Sequence, residues 1–492
     1  MHARLSTETL PDLPPSVVRP SYDRAAVKTG IVHLGIGAFH RAHQAVYTDA
    51  ALGAGDTRWG ILGASLRSSD TRDALSPQDG LYTVSVRDGA GERVQVVGSV
   101  GKVLVAPEDP EALLQALVRP ETHIVSLTVT EKGYCHDPAS GELDESHPDV
   151  RHDLAHPDKP RSALGFIAEA LNRRRLAGAT PFTLLSCDNL PANGATLHRI
   201  ITRFASRRDV DLGRFVADTV HCPSSMVDRI VPATTEADRA SVAAAIGLQD
   251  SWPIVTEPFS QWVVEDDFGA GRPAWDEAGA TFVRDVAPFE LMKLRLLNGS
   301  HSTLAYLGYL AGHETVAEAM AAPGYTSLIR RMMDEEITTE VPPLAGFDLD
   351  GYKASLIARF QNPALRHRTW QIAMDGSQKL PQRLLGTIRG RIVRGAPFER
   401  LALGVAAWLR YVTGVDDKGA PIDVRDPLAA DLKRRTAGMI EAGALVESVI
   451  GVESVFGRDL PREPIFRSTV ERALSLLLAE GAAATVARLA RQ

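Results

Sequence analysis

The chain has 492 residues, of which 44% are hydrophobic, and a net charge of −7 from 54 Lys plus Arg against 61 Asp plus Glu. A single hydrophobic core rarely grows beyond about 250 to 300 residues, so this length predicts two or three domains. Because the chain is acidic and carries no long run of one charge, nucleic acid and anionic membranes are not expected partners.

The three cysteines, Cys135, Cys187 and Cys222, are far apart in the sequence. This spacing argues against a disulfide scaffold or a cysteine-rich zinc site and favours a reducing, cytoplasmic environment. The N-terminal residues are interrupted by prolines and lack the apolar stretch of a signal peptide, and no segment has the length and hydrophobicity of a membrane span.

A glycine-rich turn is predicted near the N-terminus, where a strand over residues 29–37 leads directly into a helix over 38–52. Gly35 and Gly37 form the Gly-x-Gly pattern that lets a dinucleotide pyrophosphate approach the backbone at a helix N-terminus. The third glycine of that pattern is replaced by His40, so an ordinary strand-to-helix turn remains the alternative.

The next predicted strand, residues 59–66, ends where a dinucleotide fold contacts the adenosine ribose. Arg67 and Asp70 both follow it, which leaves NAD and NADP open, since an acidic residue binds the 2′-hydroxyl and an Arg accommodates a 2′-phosphate. Phe39 and Arg41, in the predicted first helix, are further candidate cofactor contacts. We predict no metal at His33, His40 and His43, because no Cys or carboxylate stands at ligand spacing nearby.

Alternating strands and helices continue to about residue 283, and helical patterns dominate from there to the end. We therefore predict an α/β fold, with a Rossmann-type domain over 1–283 and a mainly helical domain over 284–492. The further predicted elements of the first domain are strands at 81–86, 94–105 and 122–130, and helices at 110–117 and 163–176.

Polar residues follow two later strand candidates of the α/β half. Asp188 and Asn189 stand at a strand's carboxyl end, where open α/β sheets bind ligands, although Asn189 can also be a turn former before Pro191. Asp228 interrupts an apolar run, and a carboxylate there either pairs with a neighbour such as Arg229 or faces a polar ligand.

An apolar helical pattern over residues 289–310 contains several polar residues. At about 100° per residue, with Lys293 at zero, Glu290 falls near 60°, His301 near 80° and Asn298 near 140°, so all four share one side of the predicted helix. The alternative is a core helix whose Lys reaches water and whose Asn and His are satisfied internally.

These residue types fit carbonyl–alcohol chemistry. An ammonium among apolar neighbours loses hydration, which lowers its pKa and makes neutral amine available as a base near pH 7. An Asn donates to a developing alkoxide, and a His orients a hydroxyl. Gly299 costs about 1 kcal/mol relative to Ala within a helix and so indicates close approach of a ligand or another backbone.

Six motifs carry a resemblance over nearly the whole chain: VHLGIGAFHRAHQA, SLTVTEKGYC, SCDNLPANG, MVDRIVP, FELMKLRLLNGSH and HRTWQIAMDGSQKLPQR. Together they resemble the mannitol dehydrogenase family of polyol and sugar-acid dehydrogenases, and within it the fructuronate reductases, which interconvert D-mannonate and D-fructuronate. The resemblance implies NAD as cofactor, with NADP not excluded, and a small sugar acid or polyol as substrate.

The resemblance also implies roles for the residues that match its motifs. Lys293 would be the general base of a metal-independent hydride transfer. Asn189 and Asn298 would hold the reacting oxygen, and His301 with Asp228 would hold substrate hydroxyls.

Further matching positions concern proton transfer and the substrate. Glu290 would relay protons between the Lys and solvent, and Lys379 would bind substrate. Arg368, close to it in sequence, is a second candidate partner for a substrate carboxylate. Mannitol-specific members carry an Arg where this chain has Gln371, which argues against mannitol. Mannitol, arabinitol and tagaturonate remain alternatives, as does a non-catalytic dinucleotide sensor, and the oligomeric state stays open.

Overall fold

The structure, a computed structural model, describes residues 3–137, 140–344 and 346–491. The chain forms two compact units, Met1–Ala287 and Pro288–Gln492. Eleven strands are present in the described residues, all of them in the first unit: β1 Thr29–Leu34, β2 Gly60–Ser65, β3 Tyr82–Asp88, β4 Gly91–Val97, β5 Val100–Val105, β6 Ile124–Leu127, β7 Thr183–Ser186, β8 Ser225–Asp228, β9 Ile254–Thr256, β10 Gln261–Glu265 and β11 Thr281–Val283.

Five strands of the first unit form a parallel sheet in the order β5-β2-β1-β6-β7. Numbered by their order in the chain, these strands run 3-2-1-4-5, which is the Rossmann arrangement and confirms the predicted fold class. Its switch point, where strand order reverses, lies between the carboxyl ends of β1 and β6. Two three-stranded sheets, β4-β3-β9 and β11-β10-β8, complete the unit.

Both faces of the parallel sheet are buried, as the apolar strand sequences require. Successive residues of β1 alternate between two cores: Val32 and Leu34 belong to one, and Ile31 belongs to the other. The helices of this unit are α1 Ala38–Ala42, α2 Gln44–Gly53, α3 Asp70–Leu75, α4 Pro110–Val118, α5 Thr130–Gly133, α6 Pro148–Ala155, α7 Ala163–Leu176, α8 Asn193–Arg208, α9 Val210–Thr219 and α10 Glu236–Ile246.

Two predicted elements of the first unit are wrong in detail. The single strand expected over 94–105 is two strands, β4 and β5, which belong to different sheets and are separated by Gly98 and Ser99. The helix expected over 38–52 breaks at His43, whose backbone leaves the helical region at φ −121° and ψ −91°. The His43 ring lies 5.8 Å from the Trp262 ring, and its Nε2 is 2.9 Å from the Gln261 carbonyl oxygen. The break in the helix is therefore accompanied by contacts between the His43 side chain and β10.

Apart from the isolated β-bridges Thr315–Arg368 and Val415–Pro421, the described secondary structure of the second unit is helical. Two of its helices, α12 (Ser300–Ala311) and α19 (Glu399–Tyr411), pack against each other and against the C-terminal helix α23 (Pro464–Leu489). The helices, starting at the boundary with the first unit, are α11 Ala287–Lys293, α12 Ser300–Ala311, α13 Val316–Ala321, α14 Tyr325–Arg331, α15 Leu349–Phe360, α16 Thr369–Ala373, α17 Gly376–Leu380, α18 Gly386–Val393, α19 Glu399–Tyr411, α20 Ala429–Thr436, α21 Ala442–Ile450, α22 Glu453–Phe456 and α23 Pro464–Leu489.

Among the residues of the second unit that the structure describes, three stretches are π-helical: Leu294–Gly299, Met332–Ile337 and Pro381–Leu385. The first joins α11 to α12, so residues 287–311 form one continuous helical segment with a wider turn in its middle. Among the described residues, no helix combines the length and apolar character needed to cross a membrane.

Candidate functional site

The turn after β1 is shaped by a glycine at its first position. Gly35 has φ +89°, and a Cβ built on it would lie 2.2 Å from the carbonyl oxygen of Thr128, directly after β6. Only a glycine fits this position, because both the backbone angle and the contact exclude a side chain. A Cβ on Gly37, the exposed residue preceding α1, would meet only the Gly35 carbonyl, at 3.8 Å. The backbone of this turn is thus accessible at the switch point of the sheet, as a pyrophosphate requires.

The ring of His33, on β1 before this turn, contacts two hydroxyl groups, one on β6 and one on the residue that follows β6. Its Nδ1 lies 2.8 Å from Ser126 Oγ and its Nε2 lies 2.8 Å from Thr128 Oγ1. The ring stacks on that of His40 at 3.4 Å between centroids. Burial lowers the pKa of His33 to about 3 and that of His40 well below its ordinary value, so both rings are neutral at pH 7.

The three residues predicted to contact the cofactor beside the glycines lie in different surroundings. Phe39 is half-buried and stacks on the His43 ring. Arg67 is exposed, two residues beyond the end of β2. Arg41 is buried: it donates to the Trp252 carbonyl oxygen at 2.8 Å, and burial lowers its pKa to about 10. For all three residues, a cofactor contact stays a prediction.

Asn189 follows β7 at the carboxyl edge of the parallel sheet and is exposed. The preceding residue, Asp188, accepts hydrogen bonds from the backbone N–H groups of Val129 and Thr130, which follow β6. Asp228, the last residue of β8, is buried at 4% exposure. Its neighbour Arg229 donates to backbone carbonyl oxygens, including that of Glu257 at 3.1 Å.

In the second unit, Lys293 and His301 lie on the continuous helical segment and are each 9% exposed. Asn298 and Glu290, on the same segment, are half-buried. The π-helical turn between Lys293 and His301 is the feature that the sequence did not reveal.

The π-helical turn changes the predicted angular arrangement. Its hydrogen bonds span five residues rather than four, so each residue advances by about 80° instead of about 100°. Relative to Lys293, Asn298 then falls at about 50° instead of 140°, and His301 falls at about −30°. With Glu290 at about 60°, the four polar residues lie within an arc of about 90°, which is narrower than the arc in an uninterrupted α-helix.

His301 is surrounded by aromatic and cationic side chains. Its ring stacks on Phe360 at 5.4 Å and lies 4.6 Å from the His367 ring. Burial, followed by the charges of His367, Arg383, Arg359 and Lys379, lowers the pKa of His301 well below its ordinary value. Its Nε2 is buried and has no hydrogen-bond partner among the residues that the structure describes. A neutral imidazole with an unpartnered nitrogen suits a ligand hydroxyl.

Lys379 and Arg368, the two cationic residues predicted to bind the substrate carboxylate, differ in exposure. Lys379, on α17, is half-buried and its Nζ donates to the carbonyl oxygens of Ile372 at 3.2 Å and Met374 at 2.5 Å. Arg368, which precedes α16, and Gln371 within it are exposed. These positions leave the roles of Lys379 and Arg368 as predictions.

The sequence predicted neither a disulfide scaffold nor a metal site. All three cysteines are free thiols, and burial raises the pKa of Cys135 to about 12. Within 3–137, 140–344 and 346–491, no group of three or more His, Cys, Asp or Glu residues is arranged to hold a metal ion.

A Rossmann sheet with a glycine turn at its switch point, joined to a helical unit carrying a buried Lys, defines the class of dinucleotide-dependent dehydrogenases. Comparison with known proteins narrows this class. The family model described as "Mannitol dehydrogenase Rossmann domain" matches residues 29–277, and that described as "Mannitol dehydrogenase C-terminal domain" matches residues 285–478. The chain is an oxidoreductase of the mannitol dehydrogenase family, as its motifs indicated.

Individual relatives match over almost their whole length. D-mannonate oxidoreductase of Escherichia coli (strain K12) is 46% identical over 477 residues, covering 96% of this chain and 98% of the relative. Mannitol 2-dehydrogenase of Pyricularia oryzae is 42% identical and covers 99% of both chains. The solved structure of Pseudomonas fluorescens mannitol 2-dehydrogenase, a ternary complex with NAD and D-mannitol, is 40% identical, with a TM-score of 0.88 over 99% of this chain and 100% of that one.

Proposed function

We propose that this protein interconverts a sugar acid or polyol and its ketose by hydride transfer with NAD, and that D-mannonate and D-fructuronate are its preferred pair. The observation that carries the proposal is the polar arc on residues 287–311. Lys293 and His301 are each nine-tenths buried there, and the Nε2 atom of His301 has no partner among the described residues. Membership of the family and similarity to a D-mannonate oxidoreductase support it.

The turn after β1 fits a bound NAD. Gly35 lets the backbone turn closely past β6, and Gly37 presents an accessible backbone at the start of α1. Arg67 stands where the adenosine ribose is expected in this fold. When bound, the nicotinamide supplies the hydride chemistry, and the related mannitol 2-dehydrogenase was solved with NAD.

Lys293 is the proposed general base. In alcohol oxidation its neutral amine takes the hydroxyl proton, and in ketone reduction its ammonium returns that proton to the oxygen. Asn189 and Asn298 donate hydrogen bonds to this oxygen as its charge develops, an effect worth about 3 to 4 kcal/mol per donor in other enzymes. Glu290, one helical turn before Lys293, passes the proton to solvent. No step requires a metal ion.

The proposed preference for a sugar acid rests on charge. Arg383, Arg359 and Lys379 are close enough to His301 to lower its pKa, so several cationic side chains lie near the ring. A uronate carries a carboxylate remote from its ketone, and Lys379 is the proposed partner, with Arg368 as a second cation nearby in sequence. His301 and Asp228 would hold the substrate hydroxyl groups that lie between the ketone and the carboxylate. The Gln371 position supports this preference over mannitol.

A substrate panel tests the proposal. Oxidation of NADH and NADPH is followed with fructuronate, tagaturonate and fructose under identical conditions. We expect the highest kcat/KM for fructuronate with NADH. A higher value for fructose would favour mannitol 2-dehydrogenase activity, as the similarity to mannitol 2-dehydrogenases allows. No turnover of any pair would contradict the proposed activity and favour the dinucleotide sensor.

A further inference from the structure

Asp188 links two neighbouring strands at the carboxyl edge of the parallel sheet. Its Oδ2 accepts the Val129 N–H at 2.9 Å and the Tyr134 hydroxyl at 2.8 Å, and its Oδ1 accepts the Thr130 N–H at 3.1 Å. Burial raises the pKa of this carboxyl. The carboxylate, which directly precedes Asn189, therefore fastens the chain after β7 to the chain after β6.

The segment that Asp188 holds is strained. Thr130 has φ +63°, in the left-handed region, although it is β-branched. Such a conformation is energetically costly for a residue other than glycine and persists only where its surroundings enforce it. The hydrogen bond from the Thr130 N–H to Asp188 supplies part of that enforcement. Strain of this kind is concentrated at functional sites.

A second polar side chain holds the same backbone from the other side. Asn193, which is fully buried at the start of α8, donates from Nδ2 to the carbonyl oxygens of Asp188 at 3.0 Å and Ser225 at 2.8 Å. Its Oδ1 accepts the Ser225 N–H at 2.8 Å. Asn193 thus connects the peptide before Asn189 to β8, the strand that ends in Asp228.

We propose that Asp188 and Asn193 are positioning residues, which orient Asn189 toward the reacting oxygen by fixing the peptide on its N-terminal side. The inference rests on the proposed role of Asn189. Asp188 sets the Asn189 backbone against the strained turn after β6, which borders the switch point where a dinucleotide binds. Asn193 sets the same backbone against β8. The side chain of Asn189 then needs little reorganisation to donate its hydrogen bond.

The test is a double-mutant cycle of Asp188→Asn and Asn189→Ala, measured as kcat for ketone reduction. An Asn at 188 cannot accept at both of its side-chain termini, so it loses at least one backbone hydrogen bond. In the wild-type background we expect Asp188→Asn to lower kcat at least tenfold and to change the KM for NADH less than threefold. In the Asn189→Ala background we expect it to lower kcat less than threefold. A deuterium isotope effect on hydride transfer should rise only in the former background.

Asp153→Asn is the control, because Asp153, like Asp188, accepts two backbone N–H groups and one hydroxyl, here from Arg161 and Ser162. Asp153 is more buried than Asp188 and also lies 2.9 Å from His152 Nδ1. It lies on α6 and makes none of the hydrogen bonds that hold Asp188, so its substitution should lower the unfolding temperature without changing kcat. If Asp188→Asn fails to fold, Tyr134→Phe removes one of the three donors to Asp188, and the same cycle is measured with an expected threefold loss.

Three results would overturn the inference. Equal losses in both backgrounds would show that Asp188 acts independently of Asn189. A loss of stability with unchanged kcat, as in the control, would show a purely structural role. Near-normal kcat in Asn189→Ala alone would contradict the role of Asn189 in the proposed function and the positioning role with it. In that last case the substrate panel still decides whether the proposed activity itself holds.

Discussion

Gly299 lies against the backbone of Arg383: a Cβ built on Gly299 would stand 2.7 Å from the Arg383 carbonyl oxygen. Each residue belongs to a π-helical stretch, and these two stretches pack together. The close approach of another backbone, one of the two explanations for a glycine in this apolar helix, is confirmed. It places Asn298 and His301, on either side of Gly299, at a contact that leaves no room for a side chain.

Gly299→Ala should therefore destabilise the protein, because overpacking costs about 1 to 3 kcal/mol and outweighs the helix-propensity gain of about 1 kcal/mol. We expect a lower unfolding temperature and at least a fivefold lower kcat. Gly386→Ala is the control: its Cβ would meet only the Pro381 carbonyl oxygen, at 3.6 Å. Unchanged stability in Gly299→Ala, or an equal effect of both substitutions, would contradict this reasoning.

Lys293→Ala should lower turnover at least about a hundredfold, the lower range for general acid–base catalysis. Binding of NAD, measured by titration of protein fluorescence, should remain within threefold of the wild-type value because the glycine turn is in the other unit. Turnover close to that of the wild type would refute the assignment of Lys293 as the base.

Prolonged treatment with EDTA followed by gel filtration should leave activity unchanged. The proton transfer assigned to Lys293 needs no Lewis acid, and the described residues offer no ligand cluster for one. An activity that is lost on treatment and regained with Zn²⁺, but not with buffer alone, would show that the proposed mechanism is wrong.

Acid should destabilise the first unit through His33, whose pKa is about 3 in the folded protein and about 6.5 when unfolded. Its contribution to stability is complete above about pH 6.5 and is lost as the pH falls toward 3, because only the unfolded chain takes up the proton. Unfolding free energies from urea titrations at pH 7.5, 6, 5 and 4 measure this. The wild type should lose up to about 1.4 kcal/mol more per pH unit below 6 than His33→Asn. Parallel pH profiles would contradict the assignment.

Selectivity for a carboxylate should depend on Lys379. We expect the wild type to favour fructuronate over fructose by more than tenfold in kcat/KM, about 1.4 kcal/mol of differential transition-state binding. Lys379→Met should reduce this ratio mainly by slowing fructuronate, and Lys379→Arg, which keeps the charge, should retain most of it. A similar loss for both substrates would point instead to the backbone contacts that Lys379 makes with Ile372 and Met374.

Sequence patterns predicted those features that depend on local composition. The helix over 163–176 is found with those bounds, and the apolar strands before Gly35 and Asp188 form the predicted parallel sheet. The break at His43 and the division of residues 94–105 between two sheets were missed, because partners distant in sequence accompany both. Asn193 was missed as well: its contacts with Asp188 and Ser225 join segments that only the fold brings together.

In the candidate site, too, local sequence indicated the residue types but not the geometry that the fold gives them. Residue types in the 289–310 region indicated Lys293, Asn298 and His301, but a helical wheel assumes one uniform turn. The π-helical stretch is accompanied by a tertiary contact, that between Gly299 and Arg383, which the spacing of apolar side chains in the sequence does not indicate. The sequence indicated that Asp188 stands at the end of a strand. Its hydrogen bond to the backbone of the strained Thr130 could be found only in the structure.

The π-helical turn at Leu294–Gly299 also determines how an insertion or deletion in this stretch would change the position of His301 relative to Lys293. A hydrogen bond that spans five residues instead of four accommodates one residue more than an α-helical turn does. Removing a single residue from this stretch and restoring a regular α-helix would leave His301 at about −20° relative to Lys293, within about 10° of its present direction. A stretch of unchanged length wound as a regular α-helix would instead move His301 by about 110°, from about −30° to about 80°. The number of residues in this stretch and its π-helical winding therefore have to match for Lys293 and His301 to share one side.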